Sequence, residues 1–185
     1  GSPKILEWMG KTSNPTVYLR KGRELLHELS RCGIFSKVNI LLFAGDDHCT
    51  VNETHAFLSE QANVIGAVAA GPLYLYPGID GGDRIKQILG QQGGGLAESA
   101  EWKDRHIIPV HPSREISYEE ALAISATWER EFQTAYDYWY HRRWGYFSPS
   151  ASLGDFIKGV KGAGTQNFPF STESFLNLDK QVAEN

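Results

Sequence analysis

The chain is short of cysteine, of net positive charge and of long apolar runs, and each shortage removes a class of protein. Cys32 and Cys49 are the two cysteines in 185 residues. That is too few for a disulfide framework and favours a reducing compartment, so a cytoplasmic location is expected. A net charge of -4 offers no basic face for a phosphate backbone, so nucleic acid is not an expected partner. No apolar stretch approaches the roughly 20 residues of a membrane span, and none is expected. Internal repeats and low-complexity linkers are also missing. What is present suits one globular domain: 41% hydrophobic and 12% aromatic residues, enough for a core that needs no staples. Residues 1–185 are therefore read as a single α/β domain. Residues 1–16 form its N-terminal extension and 162–185 an irregular C-terminal strap. Gly1-Ser2 has the look of a tag remnant and is set aside, the remainder being read as a piece of a longer chain.

Hydrophobic patterning gives the order of elements. Ile5, Leu6, Trp8 and Met9 suit a short docking helix. Leu25, Leu26, Leu29 and Cys32 fall at helical spacing before Gly33, a natural stop. Val38–Phe43 is apolar after Asn39, the pattern of a strand buried on both faces. Thr50-Val51-Asn52-Glu53 has capping-box spacing, which predicts a helix from Thr50 as N-cap to about Ala62. Residues 63–70 read as a second buried strand, so the order predicts a βαβ unit and a parallel sheet. Glycine and proline punctuate residues 71–95, with a short helix expected over Asp83–Leu89 and another beginning at Leu96. His106–His111 is a third strand, which Pro109 assigns to an edge or breaks. Ser117-Tyr118-Glu119-Glu120 is a second capping box and opens a long helix to about Tyr140. Its stripe is Ile124, Trp128, Phe132, Tyr136 and Trp139. Leu153, Phe156, Ile157 and Val160 form a further amphipathic stretch. The fold class expected is α/β, a Rossmann-like three-layer sandwich with a mostly parallel central sheet.

Two corners carry the polar groups. Gly45-Asp46-Asp47 follows the first strand and precedes a helix, the place where open α/β sheets bind ligands. Asp46 and Asp47 would hold ribose hydroxyls or Mg²⁺ there; alternatively Asp46 caps the turn and Asp47 is solvated. Gly93-Gly94-Gly95-Leu96-Ala97-Glu98 is the second corner, whose glycines let backbone N–H groups approach an anion. On this reading Gly45, Thr50 and Gly93–Gly95 contact phosphate, with Glu98 as the base if there is chemistry. His48 and Cys49 lack the partners of a structural zinc site, and His106 and His111 read as ordinary histidines. His141-Arg142-Arg143-Trp144 is a small basic-aromatic cluster beside Tyr146 and Phe147.

In this order the pieces resemble the SLOG superfamily. That Rossmann-like group includes the cytokinin-activating lonely guy phosphoribohydrolases and the N-terminal domains of TRPM channels. The resemblance spans roughly residues 20–110. It rests on Ala44-Gly45-Asp46-Asp47, Val64-Ile65-Gly66, Arg84 with Lys86, and Gly93-Gly94-Gly95-Leu96-Ala97-Glu98. It implies binding of a nucleotide or nucleotide-derived phosphorylated small molecule, with Arg84 and Glu98 placed for N-glycosidic hydrolase chemistry. A different class of function also fits the sequence: a degenerate Rossmann-like module that binds protein, or a second copy of itself, through an aromatic surface.

Overall fold

The first helix forms where Pro3 can occupy the first turn without losing a hydrogen bond. This helix, α1 (Pro3–Trp8), buries Ile5 and Leu6. The computed structural model describes residues 1–76, 81–97 and 107–139, together with residues 152, 154–156, 158, 170, 171, 173 and 174. Ser2, set aside on composition, is packed inward, and its N–H donates to Thr54 Oγ1 at 3.2 Å.

Helix α2 (Pro15–Arg31) is longer than the leucine spacing predicts. Asn14 is its N-cap, accepting the Val17 N–H at 3.1 Å, and Pro15 starts the first turn. Its register turns Leu26 inward, while Tyr18 and Leu25 remain exposed.

Strand β1 (Lys37–Leu42) runs parallel to β2 (Ala67–Pro72), and α3 (His48–Glu60) connects them, so the expected βαβ unit is present. Burial on both faces is not. Val38, Ile40 and Leu42 enter the core, whereas Lys37, Asn39 and Leu41 are exposed. Helix α3 starts earlier than Thr50: Asp47 is the N-cap and Thr50 the third residue of the capping box. The Thr50 N–H donates to Asp47 Oδ1 at 2.8 Å, and the Asp47 N–H donates to Thr50 Oγ1 at 2.9 Å. The reciprocal pair needs an acceptor at N-cap, and an aspartate is preferred there over a threonine.

Past Leu73, β2 continues into β3 (Tyr74–Leu75), which pairs antiparallel with β5 (Ile108–His111). On its other side β5 pairs antiparallel with β4 (Gly95–Leu96), so a strand stands where the sequence suggested a helix start. Pro109 is thus in a central strand. Its carbonyl accepts the Ala97 N–H at 2.9 Å, and its missing N–H falls where β4 ends. The described strands form a parallel pair and an antiparallel triplet, so the architecture is mixed α/β and parallel pairing is limited to β1 and β2.

Helix α4 (Gly82–Gln91) extends the predicted segment slightly, and α5 (Tyr118–Glu131) begins at its capping serine, with Ser117 Oγ accepting the Glu120 N–H at 3.1 Å. It stops at Phe132 rather than near Tyr140; residues 135–139 are helical again after a break. The aromatic stripe is accordingly split. Trp128 is core, Ile124 and Phe132 flank it, and Tyr136 is exposed.

Two cores result. Leu42, Val51, Leu58, Ile65, Val68, Ile116, Ala121 and Trp128 join the parallel sheet to α3 and α5. Ile5, Phe43, Ala44, Leu73, Leu75, Leu89 and Val110 join the antiparallel sheet to α1 and α4. Each leucine, isoleucine, valine or phenylalanine among them contributes about 1.5–3 kcal/mol on burial. Helix α5 also closes one edge of the parallel sheet. Gln133 Nε2 donates to the Val68 carbonyl at 2.9 Å, and the Ala70 N–H donates to Glu129 Oε1 at 3.2 Å. These two side chains stand where a third strand would pair. Among the residues of the tail, Phe156 is buried; Leu153, Ile157 and Val160 lie outside the described residues.

Candidate functional site

The chain leaves β1 through Phe43 and Ala44 and turns at Gly45, whose φ of 90° favours glycine. A Cβ there would overlap the Trp8 ring, and Gln92 Cγ would lie 3.2 Å away. The second corner packs against the same place. A Cβ on Gly94 would lie 2.5 Å from the His111 carbonyl oxygen. The Gly45 N–H donates to the Pro112 carbonyl at 2.8 Å, and the Arg114 N–H donates to the Gln92 carbonyl at 3.0 Å. The two glycine corners therefore meet at Pro112–Arg114, and the Trp8 and Gln92 side chains fill the space over Gly45.

Their backbone donors already have acceptors inside the fold. The Asp46 N–H donates to the Phe43 carbonyl at 3.0 Å, the Gly93 N–H to Gly90 at 3.3 Å and the Gly94 N–H to Leu89 at 2.8 Å. Gly95 is paired with His111 in the β4–β5 ladder. The N–H groups of Asp47 and Thr50 close the capping box.

Asp46 is 3% exposed. Its Oδ2 accepts the Phe43 N–H at 2.6 Å and its Oδ1 accepts the Thr50 hydroxyl at 2.7 Å. Burial outweighs these bonds and pushes the carboxyl from 3.8 up to about 6. Its neighbour behaves in the opposite way. Against a desolvation that would raise it, the Thr50 N–H and the Lys4 ammonium hold the Asp47 carboxyl below its usual range. Lys4 Nζ lies 2.9 Å from Asp47 Oδ2 and 4.7 Å from the centre of the Trp8 ring. This donor set does not suit Mg²⁺: one acid is buried and hydrogen-bonded at both oxygens, and the other is paired with an ammonium. Among the described residues no three His, Cys, Asp or Glu side chains converge for a metal.

The other described sequence candidates have partners of their own. Arg84 is exposed on α4, and its Nη2 donates to the Trp8 carbonyl at 3.2 Å. Lys86 is 3.6 Å from Asp83. His48 sits 3.8 Å from Glu120, bringing the starts of α3 and α5 together, and Cys49 is exposed. His111 Nδ1 accepts the Tyr118 N–H at 3.0 Å, a structural role. Glu98, His106 and the cluster His141-Arg142-Arg143-Trp144 with Tyr146 and Phe147 lie outside the described residues.

A pocket of about 470 Å³ opens beside these groups. Its walls include Ile5, Leu6, Met9, Tyr18 and Thr54 and the run Asn39–Leu42 of β1; Asp46, Lys11 and the Gly1 amino group are its ionisable groups. Sequence reasoning reached Asp46 but not Tyr18, Asn39 or Lys11. No signal in the chain ties these positions together, because α1 and α2 reach β1 only through the tertiary fold. Compared with protein-family models, with curated proteins and with solved structures, the chain matches none. No helix among the described residues is long and apolar enough to cross a membrane.

Proposed function

We propose that this chain is a protein-interaction module that binds through the surface formed by α2 and β1. One observation carries the reading. Tyr18 is 45% exposed, Leu25 58% and Leu41 38%, and Tyr18 and Leu41 both line the pocket. Tyr18 and Leu25 stand two turns apart on one side of α2, so the apolar surface extends from the pocket mouth along the helix. Surfaces of that kind mark partner sites on otherwise well-packed domains. The internal pairing of the corner amides supports it by removing the donors that a phosphate at Gly45 or Gly93–Gly95 would use.

The test is a peptide-display selection on the immobilised chain, followed by binding of the enriched clones to wild type and to the double variant Tyr18→Ser, Leu25→Ser. Loss of binding in the variant, with unfolding unchanged, supports the reading. Clones that bind both proteins equally, or a selection that enriches nothing, reject it.

A nucleotide or nucleotide-derived phosphorylated small molecule is the second reading, favoured by the pocket itself. Its size falls in the range of small-molecule sites. Lys11 at the pocket would take the phosphate, and Asp46 would face a ribose hydroxyl. Calorimetric titration with adenosine monophosphate decides it: heat that disappears in Lys11→Ala supports the reading, and no heat with wild type removes it.

A further inference from the structure

We infer that an extended segment of another protein docks along the open edge of β1, pairing its backbone with Asn39 and Leu41 and seating one apolar side chain in the adjoining pocket. The inference rests on the protein-interaction reading and names the kind of partner.

The ladder supplies the first half of the case. The Ser36 carbonyl accepts the Ala67 N–H at 3.2 Å, and the Leu42 carbonyl accepts the Leu73 N–H at 3.0 Å. Backbone groups along a strand alternate in direction, so the even-numbered residues of β1 face β2. Asn39 and Leu41 then direct their N–H and C=O groups to the opposite edge, where no described residue bonds them. The two edges of this sheet are treated differently. Glu129 of α5 and Gln133, just past its end, satisfy the far edge of β2, and among the described residues nothing comparable meets Asn39 and Leu41. Exposed edges are ordinarily blunted by charge, proline or a bulge. At its carboxyl half β1 instead presents Leu41.

The pocket supplies the second half. Four consecutive β1 residues line it, which places it along the strand's edge rather than over one face. Ile5 and Leu6 of α1, with Met9 just past its end, give the pocket an apolar side, and Ser2, Lys11, Tyr18 and Thr54 also line it. Asp46 already accepts two hydrogen bonds and requires no donor from the occupant. Unpaired groups on alternate residues, spaced roughly 7 Å apart, match an extended backbone, and a hollow beside them takes one of its alternate side chains. A second copy of this chain fits less well, because it would bring its own α1 and α2 into the same recess.

The experiment uses a short acetylated, amidated threonine-valine peptide with leucine at its centre, labelled with fluorescein and titrated by anisotropy. Backbone amide exchange of the whole chain is followed by NMR in parallel. The expected result is saturable binding that weakens about tenfold or more when the central leucine is replaced by glutamate, or when the pairing amides of the peptide are N-methylated. The Asn39 and Leu41 amides, fast to exchange alone, slow with peptide present. Binding that leaves both amides unchanged, or that tolerates N-methylation, overturns the edge site while the wider interaction reading stands on its display selection. Slowing of the same amides with protein concentration alone assigns the edge to a second copy and also overturns it. Absence of binding by every peptide overturns it as well.

Discussion

Replacing Asp46 by asparagine should stabilise the protein at pH 7, an unusual expectation for a buried, doubly hydrogen-bonded acid. The ordinary carboxyl value is 3.8, and burial moves Asp46 to about 6. A folded carboxyl that holds its proton more tightly than the unfolded chain makes the fold more stable in acid. That contribution is fully present below about 3.8, and it is lost as pH rises through about 6. A difference of about two pH units, at roughly 1.4 kcal/mol each, means about 3 kcal/mol of stability lost by neutral pH. The geometry accommodates the proton. A protonated Oδ1 can donate to Thr50 Oγ1 at 2.7 Å, and the Thr50 hydroxyl can turn to the Asp47 carbonyl at 3.1 Å. Asparagine reproduces that arrangement permanently: its amide donates to Thr50 and its oxygen accepts the Phe43 N–H. Asp46→Asn should therefore exceed wild type by up to about 3 kcal/mol at pH 7, and most of that advantage should vanish by pH 4. Urea unfolding followed by the fluorescence of the five tryptophans, at several pH values for both proteins, measures the difference directly. Taking the difference cancels the other carboxyls, Asp47 among them. A variant less stable than wild type at pH 7, with a gap that does not change with pH, would refute the reasoning.

Three further outcomes follow from the geometry. Gly45→Ala combines a φ of 90° with a Cβ that overlaps the Trp8 ring, so denaturation should show a loss of about 3 kcal/mol. Adding Trp8→Ala should recover only the overlap part. Gln133→Ala frees the Val68 carbonyl from its 2.9 Å partner and should lower stability by about 1 kcal/mol in urea. Ser117→Ala removes the acceptor for the Glu120 N–H, and a thermal melt should register a loss of about 1 kcal/mol.

The sequence discloses the elements better than their neighbours. The βαβ order of β1, α3 and β2 is legible because a short apolar run, a capping box and a second apolar run fall in succession. The cap itself shifts by one candidate: Thr50 and Asp47 both satisfy the residue types, and only the reciprocal hydrogen bonds choose Asp47. The length of α2 is written in Asn14-Pro15, a cap and first-turn pair that outweighs the polar residues around it. Strand breadth is less visible. An apolar run such as β1 reads as buried on both faces, yet Leu41 is exposed, since nothing local tells a strand how many partners it has. The same holds for the site. Gly45 and Gly94 announce tight backbone approaches, and both are found, but the sequence does not say that what approaches is the protein's own Trp8 ring and His111 carbonyl rather than a ligand.

Leu73 alone separates the last residue of β2 from the first of β3. Its N–H bonds to Leu42, and the next residue is already opposite Pro109. One continuous ribbon is thereby read by a parallel neighbour on its first half and an antiparallel one on its second. A slip by one position would turn Val68 out of one interior and Leu75 out of the other in the same movement. Misalignment is penalised twice, so the alignment of both sheets is fixed jointly by a segment of nine residues, Ala67 to Leu75.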